Sequence, residues 1–364
     1  MKKYPIIGKS LSVGIILLFI GICIIPTISQ DTDKSSQSTS RGNWLYVGGS
    51  GPGNYTTIQD AIDNTTNGDT VFVYRGTYYE KIEIYQKSIT LLGENVNLTI
   101  IDIDTLGGNA IQVINAPNVT IDGFGFKNHF TINVTGSIWA DHCPGLMIRN
   151  VSDSWYHVLS YGFRLRFSNH STITRTVLKY KIESAIDIQN SSNVTISENS
   201  IVASIGYMVY SCGISLTNCE DIMITKNMIT KCILYGISLL NSHKNSLVGN
   251  NVRNNNASGI YLLHSNNNLI SNNELSSNDE KGIFIENSKH NTISKNNIYG
   301  NGGEQIFFSN AFFNKWNQNF WGDWSSKKHH IEGLVHLERI NISFPIWKVD
   351  WYPANRPYDI PGIS

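Results

Sequence analysis

Charge is scarce in this 364-residue chain and balanced: 28 Lys plus Arg meet 28 Asp plus Glu, and charged residues make up 15% of the whole. Net charge therefore supplies no pull toward nucleic acid or an anionic membrane surface. Cysteine is also rare, at 5 residues. Cys23 falls in an apolar amino-terminal stretch, and Cys143, Cys212, Cys219 and Cys232 are too few for a disulfide-dense scaffold in so large a remainder. A hydrophobic content of 41% excludes disorder by composition.

The amino terminus is the one place where an apolar run is long. Lys2, Lys3 and Lys9 lead into LSVGIILLFIGICII, followed by Pro26 and the small residues Thr27 and Ser29. That order, basic then apolar then small, makes residues 1–29 a secretory signal, and the uncharged run from Ser10 to Ser29 is also long enough to serve as an uncleaved anchor. Membrane association is expected through this segment alone. Residues 30–43, QDTDKSSQSTSRGN, read as a polar linker, so the remainder is expected to be secreted or held at the cell surface.

What the chain has in excess is asparagine and serine. The stretch HSNNNLISNNELSSND, residues 264–279, suits neither helix nor strand interiors, yet it recurs. GISLLNSHKNSLVGNNV, GIYLLHSNNNLISNNEL and GIFIENSKHNTISKNNI begin at Gly236, Gly259 and Gly282, 23 residues apart. An apolar anchor repeats along the chain as Ile121, Ile148, Ile173, Ile196, Ile224, Leu247, Ile270, Ile293 and Trp316. Before each anchor stands a pair of apolar residues two apart, such as Ile237 with Leu239, which marks a short strand with one buried face. Three residues after the later anchors come Asn199, Asn227, Asn250, Asn273, Asn296 and Asn319. Stacked coils place such amides one above another, where each donates to and accepts from its neighbours. Asn250 is expected to point inward and Asn251 outward.

The pattern predicts an all-β protein, a right-handed parallel β-helix of about 23-residue coils over residues 44–325, with residues 326–364 as an irregular carboxy-terminal cap or tail. A leucine-rich repeat is the competing fold, but no segment between repeats is suited to the helical side of a horseshoe. In YTTIQDAIDNTTNGDTVFVYRGTYYEKIEI, residues 55–84, Ile58, Ala61 and Ile62 form one face of a short helix that covers the open core end. This stretch and the repeats resemble the right-handed parallel β-helix repeat proteins of the pectin-lyase-like class, including the CASH and NosD-type families. The resemblance is specific for fold and not for reaction.

Extra residues in the irregular repeats enlarge one corner of the coil at residues 127–136, 154–161 and 202–212. The adjoining outward strand positions are Trp139 and Asp141, then Arg164 and Arg166, then Asp187 and Gln189. Trp155, Tyr156 and His157 lie in a corner loop beside them. Aromatic groups with paired charges suit sugar binding, so Trp139, Asp141, Arg164, Arg166, Asp187 and His157 are the ligand-binding candidates. For enzymes of this class on acidic polysaccharides, the resemblance implies carboxylates for Ca²⁺ or acid catalysis and an Arg or Lys base. That makes Asp141, Arg166 and Asp187 the catalytic candidates, with Ca²⁺ relevant to a lyase alone. The Cα atoms of Asp141 and Asp187 are expected about 12 Å apart from strand spacings. A solvated salt-bridge set is the bland alternative for the same residues.

Tyr261, Phe284 and Phe307 form a second, aromatic column, read either as a sugar-stacking surface or as a surface ladder packed by the tail. Cys212 and Cys232, on successive coils, are the disulfide candidates. NosD-type proteins are associated with maturation of a copper enzyme, but His142, His170, His243, His264 and His290 do not share one phase of the coil, so no metal site and no cofactor is expected from spacing. Three functions remain open: a protein that binds a polysaccharide or cell-envelope glycan or acts as a scaffold; a polysaccharide lyase, epimerase or glycoside hydrolase; and a NosD-like accessory factor in metalloenzyme maturation.

Overall fold

The structure, a computed structural model, describes residues 42–103, 106–127, 134–154, 161–180, 183–202, 212–322, 328–337 and 342–360. Among these residues the strands form three sheets, of 12, 12 and 11 strands, each built from one short strand per coil. The first runs from Trp44–Val47 to Lys315–Asn317, the second from Ile82–Tyr85 to Ile342–Asp350, and the third from Gly76–Tyr78 to Phe320–Trp321. The fold is a parallel β-helix. All nine anchors, Ile121 to Trp316, sit opposite one another in the first sheet. Burial alternates along each strand as the pleat requires: Ile237 and Leu239 are fully buried while the alternate residues Ser238 and Leu240 face outward.

Asparagine is abundant because each bend uses two residues of special character. In one coil Asn241, Lys244, Gly249 and Asn254 have φ of 48°, 55°, 70° and 54°, the left-handed region that asparagine and glycine tolerate best. The residue after each, Ser242, Asn245, Asn250 and Asn255, is fully buried and points a polar group into the bend. Asn250 accepts at Oδ1 from the N–H and Nδ2 of Asn227 (both 3.0 Å) and donates from Nδ2 to the Ile224 carbonyl (2.8 Å) and Asn273 Oδ1 (3.0 Å). Every polar atom of the side chain is used, which is what lets an amide sit in a core.

The expected ladder thus runs from Asn199 to Asn319, and two more accompany it, Asn245 to Asn314 and Asn255 to Asn301. A fourth column is made of Ser168, Ser191, Ser242, Ser265 and Ser288, with Cys143 and Cys219 in the same place. Asn251 alternates with the inward Val252 and so faces outward as expected, but it is only 5% exposed, covered between Met228 and Glu274 on the third sheet.

The cysteine expectation fails. No disulfide joins Cys212 to Cys232; both are buried thiols. Cys232 stands at the head of the Asn255 ladder, where its N–H donates to Asn255 Oδ1 (3.0 Å), and its Sγ packs beneath Gly213. It occupies an asparagine's place in a bend, a demand that successive-coil spacing does not reveal. Burial pushes the Cys212 and Cys219 thiols up to about 11.

Both ends are closed. The helix Ile58–Asp63 buries Ile58, Ala61 and Ile62 over the core, with Thr57 capping Asp60 and the Glu80 carboxylate accepting from the Ile58 and Gln59 N–H groups (2.8 and 2.9 Å). At the other end the 23-residue period breaks, yet the cap is itself regular. Strands His329–Leu337 and Ile342–Asp350 form an antiparallel hairpin that extends the second sheet, with Phe307 opposite Glu332.

Candidate functional site

The outward face of the second sheet brings the charged candidates together. Trp139, Arg164 and Asp187 are register partners on consecutive coils, as are Asp141, Arg166 and Gln189 one pleat further on. Arg164 Nε donates to Asp187 Oδ2 at 2.7 Å, and Gln189 Nε2 donates to the same oxygen at 2.8 Å. Glu183 lies 4.0 Å from the other side of the guanidinium, whose plane covers the Tyr161 ring at 3.2 Å from its centroid. The Asp187 side chain is 5% exposed, so this is not a solvated surface pair. Its burial raises the carboxyl above the ordinary value even against the Arg164 charge, and burial raises Glu183 in the same way. Asn109, Thr135, Gly136, Trp139, Tyr161 and Arg164 line a pocket of about 110 Å³ beside this group. Beneath it Ser137 donates to Asp153, a fully buried carboxylate whose register neighbours are Phe126 and Leu178.

The second column behaves differently. Asp141 and Arg166 face each other across adjacent strands but do not pair. Asp141 Oδ1 and Arg166 Nε are both buried and find no hydrogen-bond partner among the described residues. His142 Nδ1 stands 3.4 Å from that oxygen, within ion-pair range but outside hydrogen-bond geometry, and its ring stacks on Phe167 at 4.7 Å. Both atoms are closed to solvent, although 22% of the Asp141 side chain as a whole remains exposed.

His157, with Trp155 and Tyr156, lies outside the described residues, as do the central parts of all three enlarged corners. Glu183 and Tyr161 escaped the sequence reading: Tyr161 ends the enlarged corner at 154–161, Glu183 lies in a coil of regular 23-residue length, and neither stands at an outward strand position paired with the charged candidates. The cue that was available is their nearness to charged strands: Tyr161 opens Tyr161–Arg166, and Glu183 stands three residues before Ile186–Gln189.

The aromatic column is longer than expected and its geometry argues for a surface ladder. Tyr235 stacks on Tyr261 (4.4 Å, 22°), followed by Phe284 (5.2 Å) and Phe307 (5.8 Å). These rings spend their faces on one another, and the Tyr261 hydroxyl donates to Glu286 at 2.8 Å. Burial, helped by that carboxylate, holds the Tyr261 phenol well above its usual range.

With fold and site defined, comparison with known proteins adds the class. A family model described as periplasmic copper-binding protein (NosD) matches residues 149–322. Two Arabidopsis thaliana proteins are similar in part: probable pectinesterase 56, 27% identical over 115 residues, and probable pectinesterase/pectinesterase inhibitor 17, 32% identical over 95. These matches take in 30% and 26% of this chain, and the chain spans 40% and 19% of their lengths.

Among solved structures, the A-module of a mannuronan C-5 epimerase of Azotobacter vinelandii is 14% identical with a TM-score of 0.53, over 77% of this chain and 91% of that one. The Dettilon tailspike protein is 14% identical with a TM-score of 0.63, over 77% and 62%. DFA-IIIase from Arthrobacter chlorophenolicus A6 is 10% identical with a TM-score of 0.59, over 80% and 84%. The protein is a parallel β-helix of the pectin-lyase-like class.

The described residues do not fit a copper site. They hold no cluster of three or more His, Cys, Asp or Glu side chains, and the four cysteines are buried, Cys143, Cys219 and Cys232 within the serine and asparagine columns. No described helix is long and apolar enough to cross a membrane.

Proposed function

We propose that this is an extracytoplasmic protein that binds a polysaccharide on the outward face of its second sheet, across Trp139, Asp141, Arg164 and Arg166. The observation that carries the reading is the pocket lined by Trp139, Tyr161 and Arg164 on this face, with the register partners Asp141 and Arg166 one pleat further along the same strands. The indole and phenol rings supply flat apolar surface for a sugar ring, and the Arg164 guanidinium on the same wall supplies donors for its hydroxyls. The two names among the relatives that carry a polysaccharide, pectin and mannuronan, support the ligand class. The word periplasmic in the family description supports the compartment, as does the signal-like amino terminus.

A glycan array probed with the full chain tests this. At least one polysaccharide should be retained, and Trp139→Ala and Asp141→Ala should each weaken it about tenfold, the equivalent of one lost stacking surface or hydrogen bond. No retained glycan, or one indifferent to both changes, would sink the proposal. An enzymatic reading rests on Glu183, a carboxyl raised by burial beside Arg164 and one-third exposed. Turnover of the retained glycan that disappears in Glu183→Gln with binding intact would establish it.

A further inference from the structure

A second aromatic surface, on a different sheet, is left over by the site above. Trp44 and Tyr46 on the first strand of the first sheet, with Phe72 and Tyr74 on or just after the next, all face outward. Their ring centroids are 5.1 to 6.3 Å apart. Trp44 is 53% and Tyr46 40% exposed. An aromatic cluster of this size held open to water is uncommon unless something binds it.

We infer that Trp44, Tyr46, Phe72 and Tyr74 form a binding platform for a neutral glycan, distinct from the charged Arg164–Asp187 face and independent of whether that face binds sugar. The rings are fixed in advance. Val47, Val71 and Val73, the inward alternates of the same strands, are fully buried, and Phe72 meets Tyr74 edge-on at 83°. Gly48 and Gly49, both at positive φ, bring the chain so close that a Cβ at Gly49 would stand 2.8 Å from the Tyr74 ring. A ligand therefore orders little on arrival.

Unlike the Tyr235–Phe307 stack, the two leading rings keep 40% or more of their surface free. Tyr46 is inclined 33° to Trp44 and 26° to Tyr74, so neighbouring rings present their faces in similar directions. A pyranose, apolar on its ring face and hydroxylated at its rim, matches indole and phenol groups that are apolar on their faces and polar at the edge. Strands WLYV, TVFV and TLLG carry no charge, which suits a neutral sugar. Arg75 beside Tyr74 is matched by Glu94, whose carboxylate accepts from its backbone N–H (2.7 Å), so the patch has no excess of the positive charge that accompanies aromatic residues at a lipid surface. Strand addition by another chain is opposed by Tyr55, which already bonds Tyr46 and Gly48 along that edge (2.8 Å each).

The test is calorimetric titration of the full chain with cellohexaose, laminarihexaose, mannohexaose and xylohexaose, beside sedimentation with phosphatidylcholine/phosphatidylglycerol vesicles. At least one neutral hexasaccharide should bind. Trp44→Ala and Tyr46→Ala should weaken it about tenfold and Trp44→Phe far less, as loss of a stacking face requires. Met223→Ala, an exposed side chain on the same sheet outside the aromatic cluster, should leave this binding unchanged, which ties the loss to the four rings. A Tm equal to the parent's in each variant shows that binding and not folding was lost. Binding to none of the four sugars, binding indifferent to Trp44→Ala, or cosedimentation with vesicles in place of sugar binding would each overturn the inference.

Discussion

Arg164 and Arg166 stand two residues apart on one strand and face the same way, yet they end in different chemistry. Arg164 is clamped between Asp187, Glu183 and the Tyr161 ring, while Arg166 Nε is buried without a hydrogen-bond partner opposite Asp141. The clamp has a measurable consequence at Glu183. Burial raises its carboxyl above the ordinary 4.5, and the Arg164 charge only partly opposes this. The fold therefore prefers the protonated form. That preference stabilises fully below the unfolded-state value and is lost as pH rises through the folded one, so the ionised group is a liability near neutrality. Glu183→Gln keeps the shape and removes the charge. It should raise the urea midpoint at pH 7 relative to wild type, with the difference closing as pH falls toward 4.5; a gap that widens on acidification would contradict the assignment.

At the scale of the element, the glycines that open successive repeats have a steric reason. Gly213, Gly236, Gly259 and Gly282 lead into second-sheet strands where the next coil passes close above. A Cβ at Gly236 would stand 2.2 Å from Val252 Cγ1 and 2.7 Å from the Gly259 carbonyl. Gly236→Ala should cost about 1–3 kcal/mol, as overpacking does, while Ser238→Ala on the outward face should stay within about 0.5 kcal/mol; urea midpoints at constant m value decide it.

These strands were legible in the sequence because their side-chain period is two and their coil period is fixed, so Ile237, Leu239 and Leu247 name their own partners. The same arithmetic placed Trp139, Arg164 and Asp187 in one column. It could not reveal that Arg164 takes Asp187 while Arg166 does not pair with Asp141, because rotamer choice is set by Tyr161, Glu183 and Gln189 around them. Nor could it separate bend asparagines from ladder asparagines where both are adjacent, as at Asn254 and Asn255, and so two ladders went unread. The Cys212–Cys232 pairing failed for a related reason: spacing along the chain says which coils are neighbours and not which way a thiol points.

At the scale of the whole molecule, each coil is held mainly by its neighbours, so stability behaves as a sum of coil and interface terms and the ends are where unfolding begins. The main asparagine ladder cannot simply stop, because the amide and side chain of Asn319 would be left without an acceptor at the open end. Asp350, fully buried at the end of the terminal hairpin, supplies one. Its Oδ2 accepts from the Asn319 N–H (3.0 Å) and Nδ2 (3.2 Å), the two bonds that every other rung makes to the next asparagine. The carboxylate also accepts from Gln318, Trp321 Nε1 and Tyr352, while the Ala354 N–H closes on the Asn319 carbonyl (2.9 Å).

The cap is thus a counterfeit coil, joined to the stack by the stack's own bonds. Asp350→Ala strands several buried donors at once and should cost about 3 kcal/mol or more, the range for breaking a buried charged network. The loss should be local: hydrogen exchange should quicken at Asn296 and Asn319 while Ile121 and Ile148, many coils away, keep their protection. Uniform loss of protection along the chain would mean that the coils unfold as one unit and that Asp350 does not act as an end cap.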